Sequence, residues 1–138
     1  MINLDFFCMK AAQAIASGAG EPRDKENVAT KALGVLLENG PYGLALYLET
    51  AKVSCAAQFK RGLLDLLRQE QVATYLVARP PEGEDLAHVT KWLTDLASNL
   101  DSYLFVKRLW QQTLTYVRYL AKALSDDPAP ERATVGAG

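Results

Sequence analysis

Apolar side chains recur along almost the whole chain at the three- and four-residue spacing of one helix face, and stretches of strict alternation are missing. The pattern predicts helices throughout and no sheet. Residues 3–17 carry Phe6, Met9, Ala12 or Gln13, and Ala16 at that spacing, and Gly18 and Gly20 end the run. Asp24 stands where a cap is wanted for a second helix, with Val28, Leu33, Leu36 and Leu37 on its buried face. In "LLENGPYGLALYLETAK", residues 36–52, that helix runs into Asn39-Gly40-Pro41 and an apolar helical pattern resumes at once. Glycine past a helix end accepts the left-handed conformation. Proline cannot continue the old helix but suits the first turn of a new one. Two neighbouring helices are therefore expected, the second over 41–51, meeting at a tight corner.

Ser54 is placed to cap the next helix, 56–67, with Ala56, Phe59, Leu63, Leu66 and Leu67 in its stripe. Glu70 falls where an apolar residue is due, which predicts a break near 69–72 and a short piece over 72–78 carrying Val72, Tyr75 and Leu76. The two prolines of "RPPEGED" forbid helix there. A helix over 85–97 would bury Leu86, Val89, Leu93 and Leu96, and Asn99 to Asp101 make a turn and cap. The last helix, 102–124, is the longest, with Val106, Trp110, Thr113, Val117, Leu120 and Leu124 toward the core. The expected fold is an all-α compact bundle of about six or seven helices. It would form a single helical domain over 1–124, followed by a flexible C-terminal tail over 125–138.

A chain of 138 residues suits one domain. With 49% apolar residues it can bury a core without covalent staples. Cys8 and Cys55, the only cysteines, form no CxxC pair and read as small buried apolar groups in a reducing cytosol. Asp5 and Lys10 interrupt the apolar start where a secretory signal would need an uninterrupted stretch. No run approaches the roughly 18 apolar residues of a membrane span. The expected location is cytoplasmic, with no membrane partner.

Chemistry is sparse. His88 is the only histidine, its helical neighbours are Glu84 and Trp92, and with two dispersed cysteines it makes no zinc set. GxGxxG, P-loop, GxSxG and HExxH patterns are absent. Glu82, Glu84 and Asp85 sit at a helix start, where acids complement the helix dipole. The expectation is a non-enzyme with no catalytic residue, no metal and no cofactor.

Charge is more informative. The net charge of −1 hides a segregation: residues 80–101 hold Glu82, Glu84, Asp85, Asp95 and Asp101 against Lys91 alone, whereas 102–124 hold Lys107, Arg108, Arg118 and Lys122 and no acid. At 100° per residue, Lys107, Gln111, Arg118 and Lys122 fall within about 60° of one another, with Arg108, Gln112 and Thr115 beside them. Helices kept exposed for solubility mix signs. A stripe without carboxylates leaves its cations free for an outside anion, and phosphate backbone is the anion such donors suit. Lys60 and Arg61, followed by Arg68, add cations on the 56–67 helix, diluted by Asp65. The whole chain is not basic, so a modest patch repeated in several copies fits better than tight free-standing binding. Tyr116 and Tyr119 near the edge of the stripe, and Tyr42 and Tyr47 at the 39–41 corner, are candidate partner contacts. The alternative is a helical protein–protein interaction module that docks the stripe onto a partner's acids with no direct RNA contact.

Two segments carry a resemblance. "KALGVLLENGPYGLALYLETAK" is similar to a segment of the small helical subunit of type III-B CRISPR effector complexes, the fifth protein of the Cmr set, in which a helix ends at an Asn-Gly corner and an apolar helix follows. "DSYLFVKRLWQQTLTYVRYLAKAL" resembles that family's tyrosine-rich closing helix, and the likeness in order and spacing covers most of residues 3–124. Pro41-Tyr42 departs from the family, which continues the corner with Leu. The resemblance implies a non-catalytic subunit of an RNA-guided antiviral ribonucleoprotein. Several copies would self-associate along the backbone subunits beside paired guide RNA and target RNA. On matching helices it implies that Lys60, Arg61, Lys107, Arg108, Arg118 and Lys122 hold RNA phosphates.

Overall fold

Six α-helices and no strand make up residues 3–126, the part of the chain that the computed structural model describes. They are α1 (Leu4–Ser17), α2 (Pro22–Thr50), α3 (Ala56–Arg68), α4 (Glu70–Ala73), α5 (Leu86–Ala97) and α6 (Leu100–Asp126). The Asn3 side chain caps α1 by accepting from the Phe6 amide. The buried face of α1 is Cys8, Ala12, Ile15 and Ala16, and Phe6 and Met9, expected inside, are 49% and 41% exposed. Three of the four buried side chains are small, which lets α1 lie close against its neighbours: the Cys8 thiol donates to the Leu109 carbonyl of α6.

Pro22 opens α2, with Glu21 in the cap position instead of the expected Asp24. Proline's fixed φ is already helical, and its missing amide is one the first turn leaves unused anyway. The corner is present. Gly40 has φ 74° and ψ −175°, and Pro41 restarts the helix. Just past it the Tyr42 amide donates to the Tyr103 hydroxyl of α6 (3.1 Å). The corner is thus latched to the longest helix of the bundle. Val28, Ala29, Ala32 and Leu36 are buried before it, and Pro41, Leu44, Ala45 and Leu48 after it; Leu37 is exposed.

Lys25 is buried, 2% exposed, and its Nζ donates to the carbonyls of Ala16 (2.8 Å) and Gly18. A helix C-terminus leaves carbonyls without partners and favours a cation. Lys25 supplies both needs for α1 from the first turn of α2.

The α3 stripe is as expected, with Leu64 buried as well, although Cys55 instead of Ser54 occupies the cap position. Gln69 turns the backbone extended, and α4 is a single turn. The loop beyond is tied down by Arg68, which donates to the carbonyls of Pro81 (2.9 Å) and Gly83 (2.8 Å), and by Trp92, whose indole donates to Ala78 O (2.9 Å). Asp85 caps α5 through the His88 amide. Asn99 accepts from the Ser102 amide and starts α6.

The most extensive helix pairing is α2 with α6, followed by α1 with α6, so the last helix is the spine of the fold. Val106, Leu109, Trp110, Thr113, Leu114, Val117 and Ala121 are buried, and the Trp110 indole donates to Leu63 O (3.0 Å). Leu120 and Leu124, expected in the core, are 36% and 51% exposed. Ala121, between them, is fully buried, so this stretch of α6 is covered on one side only. The helix runs on through Ser125 and Asp126, helical residues at the start of the expected tail; the rest, 127–138, lies outside the described residues.

Thr113 is fully buried and its Oγ1 has no hydrogen-bond partner. The Cys8 sulfur lies close to it, a weak acceptor as a neutral thiol. Burial holds that thiol above its ordinary pKa. An unpaired buried hydroxyl is a cost that an isosteric methyl removes. Thr113→Val is therefore expected to raise stability by about 1 kcal/mol. Urea titration followed by circular dichroism measures it, and a loss of stability would mean the hydroxyl has a partner after all.

Candidate nucleic-acid interface

The outward strip of α6 follows from its burial pattern. The buried residues span one side, and the Lys107, Gln111, Arg118 and Lys122 positions lie off it: Arg118, Lys122, Gln111 and Arg108 are exposed and Lys107 half-buried. Lys107 and Lys122 are separated by about 22 Å of helix rise. Among the described residues, none of Lys107, Arg108, Arg118 and Lys122 forms an ion pair with a carboxylate. The contact made by this set is internal to the strip: the Arg118 guanidinium lies 5.9 Å from the centre of the Tyr119 ring.

The cations of α3 differ. Lys60, with a side chain only 12% exposed, pairs with Glu49 at 2.5 Å. Arg61 stands 3.5 Å from Glu84 but keeps a side chain 67% exposed. Arg68 pairs with Asp65 (2.7 Å) and Glu84 (3.6 Å) besides holding the loop. Lys60 and Arg68 are thus internal fasteners, and Arg61 is the one member of the α3 group that reaches well into solvent.

The four tyrosines also separate. Tyr119 is 61% and Tyr42 40% exposed. Tyr47 packs against the core, where burial raises the pKa of its hydroxyl. Tyr116 is half-buried and donates to Asp5 Oδ1 (2.8 Å) while accepting from Gln112 (2.6 Å). The Asp5 carboxylate holds the Tyr116 phenol above its ordinary pKa, because a phenolate would face that carboxylate. These two tyrosines serve the fold first.

Leu100 and Leu104 were missed. They are 65% and 48% exposed and fall within the angular range of the cationic strip, so its N-terminal end is an apolar step. Counting 100° per residue back from Lys107 finds them. The Lys60–Glu49 pair has no such signal, since it joins separate helices.

His88 is exposed, with Nδ1 3.4 Å from Asp85, and among the described residues no three histidine, cysteine or carboxylate side chains come together as metal ligands would. No helix of the described residues is long and apolar enough to cross a membrane.

No family model, no curated protein and no solved structure matches the chain.

Proposed function

We propose that the chain is a non-catalytic small subunit of an RNA-guided ribonucleoprotein of the type III-B CRISPR (Cmr) kind, which contacts RNA phosphates along the outer strip of α6. One observation carries this reading. Four cations stand on a single helix with no carboxylate paired to them among the described residues, while Lys60 and Arg68 of α3 are spent on internal acids. Unpaired cations in a row suit a polyanion whose charges are themselves in a row, and the contact needs no base recognition. The two-segment resemblance supports the same reading and adds the setting: several copies beside guide RNA and target RNA, together with other Cmr subunits, in the cytoplasm. Lys107, Arg108, Arg118 and Lys122 are the contacts proposed, with Arg61 as an accessory. Lys60 is dropped because Glu49 neutralises it.

Affinity purification of the tagged chain from its native cells, with and without nuclease, is the test. The expected result is recovery of a short RNA with larger protein subunits, and loss of part of that assembly after nuclease treatment. Recovery of proteins alone, unchanged by nuclease, would replace this reading with the protein–protein module.

A further inference from the structure

We propose that the exposed ring of Tyr119 stacks an unpaired nucleobase, so that the α6 strip takes single-stranded RNA with bases turned toward the protein. This rests on the RNA reading of the strip and adds to it what is held between the phosphates. Tyr119 is 61% exposed, and among the described residues its hydroxyl has no hydrogen-bond partner. The polar contact of its ring is the Arg118 guanidinium, 5.9 Å from the ring centre. Tyr116, one turn back, is the contrast: it is half-buried, and its hydroxyl is held by Asp5 and Gln112. At 100° per residue Tyr119 lies about 20° from Arg108 and about 60° from Lys122 around the helix. The ring thus stands on the cationic side of α6, away from the buried one.

The strip is therefore not evenly cationic. Leu100 and Leu104, 65% and 48% exposed, precede Lys107 and Arg108, and Tyr119 stands between Arg118 and Lys122 in sequence. That mixture separates two kinds of RNA. A duplex hides its base faces in the stack and presents phosphates and 2′-hydroxyls, so it has nothing to lay on a ring or a pair of leucines. A single strand carries both groups the strip could use: phosphates for the cations and unstacked bases for the apolar surface. Stacking does not read the base, because every base has a π-face, which agrees with a contact that needs no base recognition. The planar guanidinium of Arg118, already at the ring, adds a second surface of the same kind.

Fluorescence anisotropy across a salt series tests this with three labelled ligands: a single-stranded RNA, the same chain lacking its bases, and a blunt RNA duplex. The full chain is expected to bind the single strand about tenfold more tightly than the abasic chain. Tyr119→Ala should lose about tenfold for the single strand and nothing for the other two. It should leave the plot of log affinity against log salt with the same slope, because it removes no cation. Tyr119→Phe keeps the ring and should bind as the parent does. Equal binding of the single strand and the abasic chain, or an equal loss for all three ligands in Tyr119→Ala, would overturn the stacking and leave the phosphate strip standing. An absence of salt-dependent binding to any of the three would overturn the RNA reading and the stacking with it. Loss of protein subunits but not of RNA from the natively purified assembly on Tyr119→Ala would make the ring a protein contact instead.

Discussion

Changing Lys107, Arg108, Arg118 and Lys122 together to glutamine is expected to cost roughly a hundredfold in affinity for single-stranded RNA at about 0.15 M salt. It should also flatten the plot of log affinity against log salt by about 3, since each phosphate contact contributes about 0.7 to that slope. The variant should fold as before. Three of the four side chains are exposed, Lys107 is half-buried, and among the described residues none has a carboxylate that the change would leave unpaired. Fluorescence anisotropy of a labelled RNA across a salt series measures both quantities, and circular dichroism checks the fold. The contrasting variant is Lys60→Gln with Arg61→Gln. It strips Glu49 of its partner and leaves Glu84 with Arg68, but touches one solvent-reaching cation only, so its slope should change by less than 1. An unchanged slope in the fourfold variant would sink the RNA reading. An equal loss in the α3 variant would move the contact away from α6.

Gly40→Ala and Gly34→Ala, the same substitution in the same helix, should have opposite signs. Gly40 holds φ 74° with ψ −175°, a region that is essentially glycine's alone. A Cβ there would also lie 3.3 Å from the Tyr103 hydroxyl, the group that accepts from the Tyr42 amide. Straining the backbone and crowding that hydroxyl should cost about 2–3 kcal/mol, or a fall in Tm on the order of 10 °C. Gly34 is an exposed helical residue with nothing near its Cβ position, so alanine there should add about 0.5–1 kcal/mol by reducing the freedom of the unfolded chain. Calorimetry of the two variants beside the parent decides it. Similar shifts in both would mean that the corner is soft and not latched.

The all-α class, the Gly40-Pro41 corner, the α3 stripe and the Asp85 helix start were legible because each is a local matter. Helical periodicity, glycine's access to positive φ, and proline's fit at a first turn act within one or two turns of chain. The acid-free strip on α6 was legible for the same reason: it is a helical angle and a count of charges. The helix starts were less so. Asp24 and Ser54 are good capping types, yet Pro22 and Cys55 begin nearer the available corner, because the connection lengths to the preceding helices decide where a helix can start.

What the amino-acid order determined by itself was therefore which stretches coil, where the chain must bend, and which face of α6 carries cations. What tertiary packing alone decided was which apolar residues find a partner and which charges remain free. Phe6, Met9, Leu120 and Leu124 have core-type spacing but face solvent, because burial depends on which side of each helix its neighbours cover: Cys8, Ala12 and Ile15 on α1, and Ala121 between the two leucines on α6, are the residues covered. Lys25 is buried because the end of α1 presents unpaired carbonyls beside it. Lys60 is neutralised because Glu49 arrives next to it, whereas among the described residues no acid pairs with Lys107. Periodicity is a property of one helix, whereas coverage and charge pairing are properties of two, and the second helix is chosen only when the chain closes on itself.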